Sequence, residues 1–155
     1  MDNTSKCVLK FNKYDVNKIL FVKNVKFHKE EFKGLDLNID TNFNYPKNAE
    51  DNLFTVTLKI EIGNDAEKNN YPFNIVTEIV GFFELDKSEL DKMKQFAEIN
   101  AVSILFPYVR ALITTITANA NIPPVVLPPM NIAAMIENKN EEAAGDDESC
   151  DKIKN

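Results

Sequence analysis

The sequence predicts an α+β fold: a four-stranded antiparallel sheet, then a long kinked helix, a proline-rich crossover and a short C-terminal helix. Three observations carry this prediction. Apolar residues alternate with polar ones at period two through much of the chain as far as Leu85. From Leu90 to Ile116 they recur instead at spacings of three and four. Between Ala101 and Ile136 there is one charge, Arg110, together with five of the seven prolines.

Taken in order, the N-terminal stretch is the loosest. Leu9 and Phe11, Ile19 and Phe21, and Val25 and Phe27 suggest one or two strands with an undetermined bend. Leu35, Leu37 and Ile39 alternate with Asp36, Asn38 and Asp40. Phe54, Val56, Leu58, Ile60 and Ile62 alternate strictly with Thr55, Thr57, Lys59 and Glu61, the pattern of a half-buried strand. Gly63 to Asn70 is a polar turn region, and the strand from Tyr71 to about Leu85 is apolar on both faces. Gly81 inside that strand predicts a bulge or a close approach of another backbone.

The helix is expected to start at Asp86-Lys-Ser88-Glu-Leu-Asp91, with Ser88 as cap, Asp91 reaching back and acids in the first turn suiting the helix dipole. Pro107 should kink it. Beyond Ala101 it is apolar almost all round, so one sheet covers one side and a second subunit is the economical cover for the other. Asn119 and Asn121 suit its C-terminus. Ile122-Pro-Pro-Val-Val-Leu-Pro-Pro-Met130 must be extended and stiff, because proline fixes its own φ and restricts its predecessor. Asn131 then caps a short helix from Ile132 to about Asn138. Residues 139–155 are expected to form an acidic, disordered tail beyond a domain spanning 1–138.

Composition excludes several function classes. The net charge is −6, of which −4 lies in residues 137–155, and no basic stripe marks a nucleic-acid surface. The prolines and Arg110 break any span of about 20 apolar residues, and the first residues lack the apolar core of a signal peptide, so a cytoplasmic, soluble protein without membrane insertion is expected. Cys7 and Cys150 form no CxxC. His28 is the one histidine, with no metal spacing around it, and four glycines build no phosphate loop. No catalytic, cofactor or metal site is assigned, and an enzyme is not expected.

The residues that remain are apolar. Leu105, Val109, Leu112, Ile113 and Ile116 suit an oligomer core better than a ligand site. Ile122, Val125, Val126, Leu127 and Met130 suit groove lining and plain core cover equally well. Arg110 suits a structural ion pair or hydrogen bond at an interface.

Ile104-Leu-Phe-Pro-Tyr-Val-Arg110 closely resembles the helix motif ILFPYAR of the SecB-type protein-export chaperones. Pro123-Pro-Val-Val-Leu-Pro-Pro-Met-Asn131 resembles that family's crossover, FPQLNLAPVN. Leu35-Asp-Leu-Asn-Ile-Asp-Thr41 resembles its KLDLDT strand and Gly81-Phe-Phe83 its Gly-Ile-Phe. The matches run in order from about Val8 to Met135. The resemblance implies an ATP-independent holdase, a homotetramer built as a dimer of dimers, which keeps unfolded or precursor polypeptides export-competent in apolar grooves. Phe82, Ile122, Val125, Val126, Leu127, Met130 and Met135 would then line the client site, the methionines adapting to varied partners.

One departure bears on partners. Where the family carries acids that dock the export motor SecA, this chain has Lys18, Val22, Asn74 and Val76. A face without those acids loses steering toward a basic partner, so SecA docking in the usual way is not expected. Relatives dedicated to one partner, such as an antitoxin, keep the fold without the export role. That alternative stands beside the general holdase, as does an oligomeric scaffold without clients.

Overall fold

The structure is a computed structural model and describes residues 7–147. Strands β1 (Leu9–Lys23), β2 (Leu37–Asn44), β3 (Leu53–Ile62) and β4 (Phe73–Leu85) form one antiparallel sheet in the order β1-β4-β3-β2. A helical turn, α1 (Ala66–Asn69), sits between β3 and β4. A 3₁₀ segment (Lys87–Lys92), α2 (Met93–Gln95), a wide π turn (Phe96–Ala101) and α3 (Val102–Asn119) follow one another directly. The extended crossover leads to α4 (Ile132–Asp147).

The period-two alternation becomes the core. Phe54, Val56, Leu58, Ile60 and Ile62 on β3, and Ile75, Ile79 and Phe83 on β4, are buried toward Val102, Leu105, Val109 and Ile113 of α3. Each such side chain contributes about 1.5–3 kcal/mol. Gly81 permits the close approach expected of it: a Cβ there would lie 2.6 Å from Leu105 Cδ2. Gly63 has φ +74°, and a Cβ on it would run into the Phe73 carbonyl, so the β3–β4 turn requires glycine. Asn24 ties the end of β1 to this turn by donating from Nδ2 to the carbonyls of Ala66 (3.1 Å) and Tyr71 (2.9 Å).

Several local expectations change. The N-terminal stretch is one strand with two register irregularities, between Phe11 and Lys13 and between Val16 and Lys18, and these accommodate its length. Val25 and Phe27 lie beyond it. The helix cap is Asp86, whose Oδ1 accepts from Ser88 N (2.9 Å) and Ser88 Oγ (2.6 Å), so Ser88 is bound by the cap rather than forming it. Pro107 lies inside α3, while the departures from α geometry fall upstream, in the π turn and at Glu89 (φ −121°, ψ 19°). Asn131 does cap α4, its Oδ1 accepting from Ala134 N at 3.1 Å. That helix continues past Asn138 to Asp147, through Glu141, Glu142, Ala143 and Ala144, all good helix formers. The remainder of the expected acidic tail, with Cys150, lies outside the described residues.

The continuous segment Lys87–Asn119 is long and apolar enough to cross a bilayer by length and composition, despite Pro107 and Arg110. Its sheet-facing side is core, and the core helix of a soluble protein passes the same test.

Candidate polypeptide-binding surface

A crossover with four prolines cannot bond its own backbone, so it must borrow partners. Two threonines of α3 supply them. Thr114 Oγ1 donates to the Val125 carbonyl (2.8 Å), and Thr117 Oγ1 accepts from Val125 N (2.9 Å) while donating to Ile113 O (2.9 Å). With both polar groups of Val125 fixed to the helix, the extended chain turns its next two side chains in opposite directions. Val126 points out, 61% exposed, and Leu127 points in, 7% exposed. Ile122, Val125 and Met130 are half-buried against the core, and Met135 on α4 is exposed.

Of the seven residues expected to meet clients, Ile122, Val125, Val126 and Met130 follow one another along the crossover, and Met135 is exposed on α4. Leu127 is a correction. It is a core side chain, because the threonine clamp at Val125 directs it inward. Phe82 is separated from the crossover. It lies on the outer face of the sheet, half-buried, with the Lys13 ammonium 4.6 Å from its ring centroid, at a cavity of about 460 Å³ shared with Tyr45, Pro46 and Leu53. Burial, and secondarily the charge of Glu98, pushes the Tyr45 phenol above its ordinary pKa.

The expected oligomer interface also needs correcting. Leu105, Val109 and Ile113 are 0% exposed within a single chain, since β3 and β4 already cover them. They have no surface left for a partner. Leu112 and Ile116 are half-buried. The outward side of α3 presents Ser103, Pro107, Tyr108, Ala111 and Thr115, a smaller and more polar set than an all-apolar helix would give. Arg110 makes no ion pair among the described residues.

Lys18, Val22, Asn74 and Val76 come together on the outer face: Val22 pairs with Asn74, Leu20 with Val76 and Lys18 with Glu78. Val22 is exposed and Val76 buried. Asn74 Nδ2 is engaged by Glu61 Oε1 (3.3 Å) and Gly63 O (3.2 Å). The register also aligns Asp40, Lys59, Glu78 and Lys18, one from each strand, in a row of alternating sign. Directly opposed unlike charges stabilise a sheet modestly and leave little net field.

Sequence reasoning missed three features. The threonine clamp is one; its signal was hydroxyl-bearing β-branched residues facing inward from a helix interior. Exposed Val16, Ile19, Leu20 and Val22 on edge strand β1 are another, hidden because β1 is apolar on both faces. The third is Lys139, whose Nζ donates to Ile39 O of β2 at 2.9 Å, a contact between residues 100 positions apart that no local pattern announces.

A family model described as preprotein translocase subunit SecB matches residues 18–143. The chain belongs to the SecB family. An uncharacterised protein of Methanocaldococcus jannaschii is 50% identical over 141 residues, which cover 91% of this chain and 90% of that one. The protein-export protein SecB of Anaplasma phagocytophilum is 35% identical over 95 residues, 59% of this chain and 60% of the relative. Among solved structures, a SecB-like chaperone of Mycobacterium tuberculosis, in complex with a ChAD peptide from the HigA1 antitoxin, superposes with a TM-score of 0.62 at 16% identity, covering 79% of this chain and 90% of that one. At that identity the likeness is one of fold. It confirms the SecB-like architecture of sheet, long helix and C-terminal helix.

Proposed function

We propose that this SecB-family protein is an ATP-independent holdase that binds unfolded polypeptides along the strip formed by Ile122, Val125, Val126, Met130 and Met135. The observation that carries the reading is the pairing of an outward Val126 with an inward Leu127 on a backbone clamped to α3. A stiff strip that cannot collapse onto the core keeps apolar area available, and apolar area is recognised at about 25 cal/mol per Å² whatever the client's sequence. Family membership supports a chaperone role, and the peptide held by the M. tuberculosis relative shows that such a fold can carry a polypeptide. The family's cytoplasmic setting and tetrameric assembly complete the reading, with Leu112, Ile116 and the apolar residues of β1 as subunit contacts.

The outer face favours a second reading, a chaperone dedicated to one partner without SecA-dependent export. Its Asp40–Lys59–Glu78–Lys18 row is balanced in sign, and the positions where the family carries docking acids hold Lys18, Val22, Asn74 and Val76.

The test is light scattering of reduced insulin with the purified protein and no nucleotide. Suppression of aggregation at substoichiometric tetramer is expected, and none at any ratio would end the holdase reading. Affinity capture from the native cytoplasm separates the two forms, since a general holdase retains many proteins and a dedicated one retains a single partner.

A further inference from the structure

In a regular strand Asn12 would oppose Phe82, because Phe11 opposes Phe83. The register break after Phe11 puts Lys13 there instead and leaves Asn12 as the extra residue of a bulge. Lys13 thereby joins a row across the outer face, one residue from each strand: Lys13, Phe82, Thr55 and Asn44. All four line the cavity of about 460 Å³, together with Leu53 and with Tyr45, Pro46 and Asp51 of the β2–β3 connection.

The polarity of this cavity runs in one direction. The Lys13 ammonium lies on the β1 side, 4.6 Å from the Phe82 ring centroid. It gives one hydrogen bond to Asp15 Oδ2 (2.9 Å) and has donors left over. The Phe82 ring lies between, with Leu53, Pro46 and Tyr45 as further apolar wall. On the β2 and β3 side are the Thr55 hydroxyl, the Asn44 carboxamide and the Asp51 carboxylate. Asp51 Oδ1 accepts from Leu53 N at 3.3 Å. The side chains of Thr55 and Asn44 make no hydrogen bond among the described residues.

We propose that this cavity binds a planar aromatic acid, stacked on Phe82 with its carboxylate on Lys13 and a hydrogen-bond donor at its far end, toward Asp51 and Thr55. A volume of several hundred Å³ with apolar walls and a few placed polar groups is what a small-molecule site requires. The other ligand classes fit less well. A wholly apolar molecule would cover Lys13, Thr55 and Asn44 without bonding them. A cation would meet Lys13, and a molecule acidic at both ends would meet Asp51. Length agrees with the two-ended reading. Lys13 and Thr55 are two strand spacings apart, about 10 Å, which suits two fused rings with a substituent at each end. The ring supplies buried apolar area, and the carboxylate adds a charge-assisted bond to Lys13. The holdase reading makes no use of this cavity, since Phe82 and the crossover lie on opposite faces of the sheet.

The experiment titrates 6-hydroxy-2-naphthoate, followed by its own fluorescence, with the full chain. One site per chain with a Kd of about 100 μM is expected, and no saturation below about 1 mM overturns the proposal. The methyl ester of the same compound lacks the charge and should bind about tenfold less tightly. Lys13→Met should weaken the acid about tenfold and leave the ester unchanged, because Lys13 is an exposed residue whose charge alone is removed. Equal weakening of acid and ester, or of neither, overturns the proposal. 2-Naphthoate, without the hydroxyl, should bind several-fold less tightly than the hydroxy acid, and equal affinity overturns the orientation given to the ligand. Amide NMR shifts of the unsubstituted protein locate the ligand without any variant. Changes at Lys13, Thr55 and Phe82 are the expected result. Changes centred on Val125 and Val126 would place the ligand on the crossover and overturn the proposal.

Discussion

The two faces of the sheet are built on opposite terms. The inner face is apolar in depth, covered by α3, and finished at its margin by a crossover whose side chains alternate between core and solvent. The outer face mixes apolar side chains such as Leu20, Val22 and Phe82 with polar ones, Asp40, Lys59, Glu78 and Lys18 being aligned in alternating sign and Asn74 bound to its neighbours. Apolar area recognises partners without regard to their sequence, while charge recognises them by pattern. A face whose charges cancel along a row has little pattern to offer a charged motor. The proposed function accordingly assigns client binding to the inner margin and no basic partner to the outer face.

Substitutions that remove inner-face core should have the largest effect. Leu105→Ala is expected to lower stability by about 2–5 kcal/mol in urea unfolding, because Leu105 is fully enclosed against Gly81. A loss under 1 kcal/mol would mean that α3 does not pack on the sheet as described. Next comes the clamp. Thr117→Val keeps the shape but leaves Val125 N–H without its acceptor, at a cost of about 1–3 kcal/mol. The accompanying loosening of the crossover should appear as faster amide exchange at Val125.

The outer row should respond less. Lys18→Glu places like charges opposite each other at Glu78 and should cost about 0.2–1 kcal/mol, with the loss shrinking as salt is added. If it also creates measurable binding to SecA, the missing acids are what separates this chain from export. Smallest in stability is Val126→Asp, a surface change expected to stay within about 0.5 kcal/mol. It should nonetheless weaken aggregation suppression several-fold, the reverse of what a core change does.

These contrasts also show what the sequence could reveal. The alternation at Phe54 to Ile62 was legible because β3 is covered on one face only, so burial follows parity. The helix, the stiffness of 122–130 and the Asn131 cap were legible because proline and capping asparagine act through their immediate neighbours. The sides of the helix were not. Leu105, Val109 and Ile113 read the same whether a sheet or a second subunit covers them, and only the tertiary packing decides. Leu127 and Val126 are likewise indistinguishable as residues; the two threonines at 114 and 117 separate them through bonds formed only after folding. Phe82 fell away from its expected neighbours for a similar reason, since parity puts it on the outer face while the crossover lies on the inner one.

The central claim is that the inner margin, and not the outer face, receives unfolded chains. Site-specific photocrosslinking tests it directly, with benzoylphenylalanine placed at Val126 in one variant and at Lys59 in another, each illuminated with reduced, carboxymethylated α-lactalbumin. Covalent adducts from position 126, and few or none from 59, are the predicted result. Adducts from 59 with none from 126 would contradict the account.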